Sequence, residues 1–307
     1  MDRYGRTING LRISVTESCN FNCFYCHREG HPRSSQEMSP DEIGSIVKIA
    51  SDFGVEKIKI TGGEPLLRND IVDIVAASVK PGIREVSMTT NGTLLSEKAQ
   101  ELAEAGLDRV NVSLDTLDAE KFAKITRRGA LQKVLDGIAA AQEAGLVPIK
   151  LNMVLLKGMN EDEVDRMISF AGEHDMILQL IELVDLNGED FKEHHLTLEE
   201  IERRLAARAI AVRTRRLMQS RRRYLLPNGE VEVVRPMHNT RFCAHCHRLR
   251  LTPDGYLKPC LMRNDNLVDI LSWVQAGDTD GAKKAFVEAV MRREPYFKRA
   301  DKCPHAL

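Results

Sequence analysis

Leu11-Arg12-Ile13-Ser14-Val15-Thr16-Glu17-Ser18-Cys19-Asn20-Phe21-Asn22-Cys23-Phe24-Tyr25-Cys26 is the stretch on which the fold turns. Its first six residues read as a short buried strand, and three cysteines follow at once in a loop. In a βα barrel the loop behind a strand opens on the mouth where chemistry is placed. Three thiolates that close in sequence can hold three irons of a four-iron cluster and leave the fourth iron without a protein ligand. An unfilled metal position is what chemistry on a small molecule requires. The bland alternative is a zinc site closed by His27 or His31.

Outward from that loop, short apolar runs alternate with helical patterns as far as Leu183. Strands are expected at Leu11 to Thr16, Lys57 to Thr61, Glu85 to Thr89, Arg109 to Leu114, Ile149 to Val154 and Ile177 to Leu183. Ser39-Pro40-Asp41-Glu42 opens the first helix with a capping box, and Gly54, Gly106 and Gly145 stop helices. The other helices are expected near Asn69 to Ser78, Ser96 to Ala105, Leu131 to Ala144 and Asn160 to His174. This rhythm predicts an α/β fold, an incomplete (β/α)6 barrel of the TIM type.

After Leu186 the rhythm changes. A helix is expected near Leu198 to Ala207, and nine arginines fall between Arg203 and Arg223. Such a run reads as a solvated helix and hairpin, since a nucleic-acid surface would interleave aromatics. Helices near Leu267 to Gln275 and Ala282 to Arg293 close the chain. The expected division is a core barrel over 1–220 and a C-terminal α+β extension over 221–307.

Composition sets bounds. With 307 residues, 43% hydrophobic, the chain can bury a large core. Lys and Arg number 44 against 45 Asp and Glu, so any anion site must be local. No apolar stretch of about 18 residues suggests a membrane span, and Met1 to Arg6 does not read as a secretion signal. A cytoplasmic location is expected. Six of the seven cysteines fall in two tight groups, a pattern that favours metal ligation over disulfides in a reducing compartment.

The second group is Cys243-x2-Cys246-x13-Cys260, with Arg248 and Arg250 directly behind it. On spacing alone, zinc closed by His238, His245, His247, Cys303 or His305 stands beside a second iron-sulfur cluster.

Cys19-Asn20-Phe21-Asn22-Cys23-Phe24-Tyr25-Cys26 and Gly62-Gly63-Glu64-Pro65 resemble the signature motifs of the radical S-adenosylmethionine superfamily. The two triads together, with Thr89-Thr90-Asn91-Gly92, Asn111-Val112-Ser113-Leu114-Asp115 and Phe242 to Leu251, resemble the GTP 3′,8-cyclase family of molybdenum cofactor biosynthesis. The resemblance runs from about Tyr4 to about Arg293. It implies two [4Fe-4S] clusters, one on Cys19, Cys23 and Cys26 and one on Cys243, Cys246 and Cys260. It also implies S-adenosylmethionine held by Tyr25, Gly63, Glu64 and Ser113, with Glu64 accepting from its ammonium group. GTP would be bound by Arg12, Lys57, Lys59, Thr89, Lys150, Arg248 and Arg250. In the family a deoxyadenosyl radical takes the C3′ hydrogen of GTP, and the C3′ radical attacks C8 of guanine.

The implied partners are GTP, a reductant protein and a pterin synthase that takes the product; a homodimer is admitted, and nucleic acid and membrane are not expected. Two departures stand out: Gln179 occupies a position where many members carry Arg, and the chain ends Cys303-Pro304-His305-Ala306-Leu307 in place of a Gly-Gly tail. The rival readings are a radical peptide maturase with an electron-transfer cluster, and a zinc-stabilised nucleic-acid-binding module using the arginine run.

Overall fold

The computed structural model describes residues 1–30, 36–185, 189–237 and 239–295. The expectations placed on His31, His238, Cys303, His305 and the C-terminal tail lie outside the described residues.

The strands are β1 (Gly10–Ser14), β2 (Lys57–Thr61), β3 (Glu85–Thr90), β4 (Arg109–Ser113), β5 (Lys150–Leu155), β6 (Ile177–Glu182), β7 (Ala211–Arg215), β8 (Arg221–Leu226), β9 (Gly229–Val234), β10 (Arg248–Leu251), β11 (Tyr256–Lys258) and β12 (Val268–Asp269). The helices are α1 (Pro40–Asp52), α2 (Ile71–Ser78), α3 (Leu95–Glu104), α4 (Ala119–Thr126), α5 (Leu131–Glu143), α6 (Val164–Glu173), α7 (Glu189–His194), α8 (Glu199–Arg208), α9 (Thr240–Ala244), α10 (Leu271–Gln275) and α11 (Thr279–Met291). All six expected core strands are present. The capping box of α1 forms as read: Glu42 N donates to Ser39 Oγ at 3.3 Å, and Ser39 N donates to the Glu42 carboxylate at 2.7 Å.

One sheet carries everything, in the order β12-β11-β10-β1-β2-β3-β4-β5-β6-β9-β8-β7. From β10 through β1 to β6 and on to β9 every pairing is parallel. The six-unit barrel is therefore there, and the extension lengthens its parallel sheet at both edges. The hairpins β7–β8–β9 and β10–β11–β12 finish the two sides with antiparallel pairs. The expected division at 220 falls in the turn between β7 and β8, two strands that pair with each other.

Barrel strands buried on both faces read as continuous apolar runs. Here they alternate. Ile58 and Ile60, Val110 and Val112, Leu178 and Leu180, and Leu249 and Leu251 are buried in the core. Their neighbours Lys59, Asn111, Gln179, Arg248 and Arg250 line a cavity on the opposite face. A period of two with a polar inner face means that the barrel encloses a site as well as a core. The register carries the polar belt across the sheet, Arg250 beside Arg12, Arg12 beside Lys59, and Gln179 beside Glu232.

The sequence reading missed α4. Asp118 caps it by accepting from Glu120 N and Lys121 N, both at 2.9 Å. Its C-terminal carbonyls support the first cysteine loop: Thr126 O accepts from Asn22 N at 3.1 Å and Ile125 O from Phe24 N at 3.2 Å. Phe122 of α4 packs edge-on against Phe21, with ring centroids 5.7 Å apart.

Candidate active site

All six triad cysteines line one cavity of about 370 Å³, the size of a small-ligand pocket. The first triad sits in the loop after β1, and the second spans α9 to the residues behind β11. None of the six is joined in a disulfide, and all are at least partly accessible. Burial pushes Cys19, Cys26 and Cys260 up, and burial with the nearby Asp115 pushes Cys23 far up. Thiolates in such surroundings need a metal's positive charge beside them. Burial alone would raise Cys246 as well, but Arg293, Arg248 and Arg6 outweigh it and bring this thiol down.

Among the described residues, no three Cys, His, Asp or Glu side chains converge tightly enough to hold one metal ion. Neither triad is a preassembled zinc tetrahedron, whose ligands all stand about 2.0–2.3 Å from one point. His247 Nδ1 lies 2.9 Å from Thr7 O and His245 Nδ1 lies 3.0 Å from Arg241 O, so backbone carbonyls engage these two rings.

The Gly62-Gly63-Glu64 turn is built against the segment that leads to Cys19. Gly63 N donates to Thr16 O at 2.8 Å and Glu64 N to Ser18 O at 2.7 Å. Gly62 has φ +153°, and a Cβ on Gly63 would stand 2.7 Å from Glu17 O and closer still to Ser18 O. Only glycine allows this approach. The Glu64 carboxylate is fully buried and accepts from Leu66 N at 3.0 Å, Thr90 Oγ1 at 2.7 Å and Asn91 N at 2.6 Å. Burial raises it to about 7 against these donors. Through these bonds it pins the Thr89-Thr90-Asn91-Gly92 turn to the glycine loop. Asn91 in turn donates to Asn20 at 2.7 Å, tying that turn to the cysteine loop. Tyr25 OH donates to Asp115 at 2.6 Å, and burial raises Asp115 to about 6. Gly63, Tyr25 and Ser113 all line the cavity.

Of the expected nucleotide cations, Arg12, Lys59, Lys150, Arg248 and Arg250 line the cavity with Thr89. Lys57 does not. It lies one alternation below Lys59 at the start of β2, pairs with Glu85 at 3.2 Å and is half-exposed. Burial pushes Arg12 down to about 10, with repulsion from Arg250 and Arg221 adding to it and Glu29 opposing. Burial and the neighbouring Arg109 and Arg12 hold Lys59 well below the usual lysine range. Lys150 is pushed down to about 8 by burial, although Glu232 Oε2 accepts from it at 2.8 Å.

Two residues that the sequence reading passed over complete the wall. Glu29, three places beyond Cys26, takes a hydrogen bond from Arg250 at 2.6 Å and one from Thr61 at 3.0 Å, with Arg12 Nε 3.3 Å away. Burial would raise this carboxyl, but Arg12 and Arg250 hold it well below the usual range. Arg221 belongs to the run read as solvated. Arg203, Arg204 and Arg208 do lie on the surface, paired with Glu200 and Asp165. Arg221 is buried in the cavity wall, because pairing of β8 with β9 turns it towards Glu232.

A parallel βα barrel with a three-cysteine loop after its first strand and a glycine turn after its second defines a radical S-adenosylmethionine protein. The Radical SAM superfamily model matches residues 13–171, and the Molybdenum Cofactor Synthesis C model matches residues 176–299. The chain is 50% identical over 300 residues to a protein of Methanothermobacter marburgensis named probable GTP 3′,8-cyclase, covering 97% of this chain and 98% of that one. It is 49% identical over 306 residues to a protein of the same name from Pyrococcus abyssi, covering 97% and 99%. The chain belongs to the GTP 3′,8-cyclase family. Its fold is also that of Streptococcus suis SuiB bound to S-adenosylmethionine, with a TM-score of 0.66 at 17% identity over 87% of this chain and 64% of that one. Native anSMEcpe with bound AdoMet aligns with a TM-score of 0.59 at 18% identity, over 91% and 82%. Family membership brings with it one [4Fe-4S] cluster and S-adenosylmethionine binding. No helix among the described residues is long and apolar enough to cross a membrane.

Proposed function

We propose that this chain is a lyase that converts GTP to 3′,8-cyclo-7,8-dihydroguanosine triphosphate, the first step of molybdenum cofactor biosynthesis. One observation carries the reading: both cysteine triads and the cations Arg12, Lys59, Lys150, Arg248 and Arg250 line a single cavity. In this reading Cys19, Cys23 and Cys26 hold one four-iron cluster, and Cys243, Cys246 and Cys260 hold a second, with residues 1–220 and 221–307 contributing one triad each. When bound, the first cluster and S-adenosylmethionine supply the deoxyadenosyl radical that takes the C3′ hydrogen of the nucleotide.

The protein's task is binding and orientation. The fit rests on what already faces the cavity. Gly63 lets backbone come close to the cofactor, Tyr25 and Ser113 offer hydroxyls along its path, and Glu64 keeps the glycine turn in place. Thr89 Oγ1 is buried without a hydrogen-bond partner on the wall where a polyanion would lie. Guanidinium forks match phosphate oxygens, so Arg12, Arg248 and Arg250, with Lys59 and Lys150, anchor the triphosphate. Cys243, Cys246 and Cys260 would hold the second cluster and, as three thiolates for four irons, would leave one iron for a ring nitrogen of guanine. With both ends of the nucleotide fixed, C3′ and C8 are held in register, and orientation of this kind supplies much of a catalytic rate. A reductant protein, a pterin synthase that takes the product and a homodimer enter this reading through the family.

The test is a product assay on anaerobically reconstituted protein with dithionite, S-adenosylmethionine and either GTP, ATP or a peptide pool. The expected products are 5′-deoxyadenosine and a cyclised guanine nucleotide, from GTP alone. A modified peptide and no cyclised nucleotide would put the maturase reading in its place. One zinc and no iron in the C-terminal half would sink the two-cluster site.

A further inference from the structure

Arg221 opens β8 and is 7% exposed, and its guanidinium belongs to the cavity wall. Nη1 donates to Glu232 at 3.1 Å and Nη2 to Gln219 Oε1 at 2.5 Å. Its Nε is buried and has no hydrogen-bond partner. Gln179 Oε1 stands 3.5 Å from Nη1, and the guanidinium lies 5.9 Å from the Phe242 ring centroid.

The partner of Arg221 is already saturated. Glu232 is fully buried and also takes Lys150 at 2.8 Å and Arg215 at 2.7 Å. Three cations surround one carboxylate, so a purely structural role for Arg221 would bury a positive charge beyond what Glu232 balances. An uncompensated buried charge is strongly destabilising. The excess faces the cavity that Arg12 and Arg248 also line. The turn before β8 is shaped to hold it there. Gln219 and Ser220 both have positive φ, +62° and +52°, and Gln219 N donates to His245 O at 3.0 Å, beside the second cysteine loop. Non-glycine residues in that region are held only where the surroundings impose it.

We infer that Arg221 is a phosphate-binding residue for the nucleotide, its fork anchored by Glu232 and Gln219 and its Nε edge presented to a phosphate oxygen. This rests on the nucleotide reading above and adds to it a cation drawn from the arginine-rich hairpin. Gln219 is a positioning residue that sets the rotation of the fork.

The experiment measures equilibrium binding of GTP and of guanosine to anaerobically reconstituted protein and to Arg221→Lys, which keeps the charge beside Glu232 and loses the planar fork. GTP affinity is expected to fall about tenfold or more, since one charge-assisted phosphate contact is lost, while guanosine affinity stays within twofold. Arg213→Lys, on the exposed side of β7, is the control and leaves both affinities unchanged. GTP affinity within twofold of the parent in Arg221→Lys overturns the inference. Should Arg221→Lys not fold, Gln179→Glu decides: it sets a carboxylate against the same Nη1 without changing size, and unchanged GTP affinity there overturns the inference equally. If the unsubstituted protein binds GTP no better than guanosine, the nucleotide reading itself fails, which the two variants cannot mimic.

Discussion

Replacing Gly63 by Ala tests how the two halves of the cofactor site are locked together. The new Cβ would stand 2.7 Å from Glu17 O and closer to Ser18 O, where ordinary contact begins at 3.4 Å. The Ser18 carbonyl, the nearer of the two, must then retreat by about 1 Å or more, and Cys19 follows Ser18 directly. Retreat also stretches the bonds from Gly63 N to Thr16 O and from Glu64 N to Ser18 O, worth roughly 0.5–1.5 kcal/mol each. A displacement near 1 Å in a reacting constellation costs on the order of 10²-fold in rate. The assay is release of 5′-deoxyadenosine under dithionite, with iron content and melting temperature measured on the same preparation. Gly63→Ala should lose roughly 30- to 100-fold in cofactor cleavage and melt a few degrees lower. Gly129→Ala, where a Cβ meets nothing within 4 Å, should be indistinguishable from the parent. Cleavage by Gly63→Ala within threefold of the parent at full iron content refutes the steric argument.

Arg248→Ala should cut cyclisation roughly 10- to 100-fold, the loss of a charged phosphate contact, and cofactor cleavage far less; equal loss of both would place Arg248 off the substrate side. Lys150 gives a pH signature. Its ammonium is held down at about 8, so it loses its proton as pH rises through that value, and a bound triphosphate favours the protonated form. KM for GTP should be flat below about pH 8 and rise by up to about tenfold per pH unit above it. Lys150→Arg should remove that rise, and a profile unchanged by the substitution would exclude Lys150 as its source. Alanine at Cys19, Cys23 or Cys26 should abolish both products, whereas alanine at Cys243, Cys246 or Cys260 should spare 5′-deoxyadenosine formation and abolish cyclisation. Either set should lower bound iron by roughly half, from about eight to about four per chain. No change in iron on replacing the second triad would remove the second cluster.

The elements legible in the sequence were those whose cause is local. Lys57-Ile58-Lys59-Ile60-Thr61 shows its two faces by alternation alone, and Ser39 with Glu42 writes its helix cap into four residues. Spacing within each cysteine group was likewise local. What stayed hidden was set by pairing across the chain. Lys57 and Lys59 share a face, but two residues of strand rise put Lys57 about 7 Å deeper, below the cavity, and only the register with Glu85 reveals it. Arg221, Arg222 and Arg223 look equivalent in a row. β8 must pair with β9 before Arg221 finds Glu232 and turns inward. Glu29 gave no signal because its partners Arg12 and Arg250 come from strands on either side of it in sequence. The Asp118 cap of α4 is local, but the helix's eight residues span only about two turns, too few for periodicity to mark it.

Two electrostatic mismatches of opposite sign meet in this cavity. The thiols of Cys19, Cys23 and Cys26 are pushed up because nothing in the protein stabilises their thiolates enough against burial. A few residues away along the same wall, Arg12, Lys59, Arg221 and Arg248 are pushed down, because burial and mutual repulsion disfavour their charges. Iron would answer the first mismatch and a polyphosphate the second, and neither ligand would answer both. Guanidiniums that stay charged in the folded chain already bear their burial cost, so a ligand that relieves it binds more tightly by that amount, whereas the protonated thiols bear none until a metal displaces their protons. Glu29 holds the two regions in relation: it follows the first cysteine loop by three residues and grips Arg12 and Arg250 of the cationic wall. The backbone bends that place it, φ +47° at Arg28 and +53° at Glu29, persist only because the ion pairs and packing around them hold this conformation against local preference.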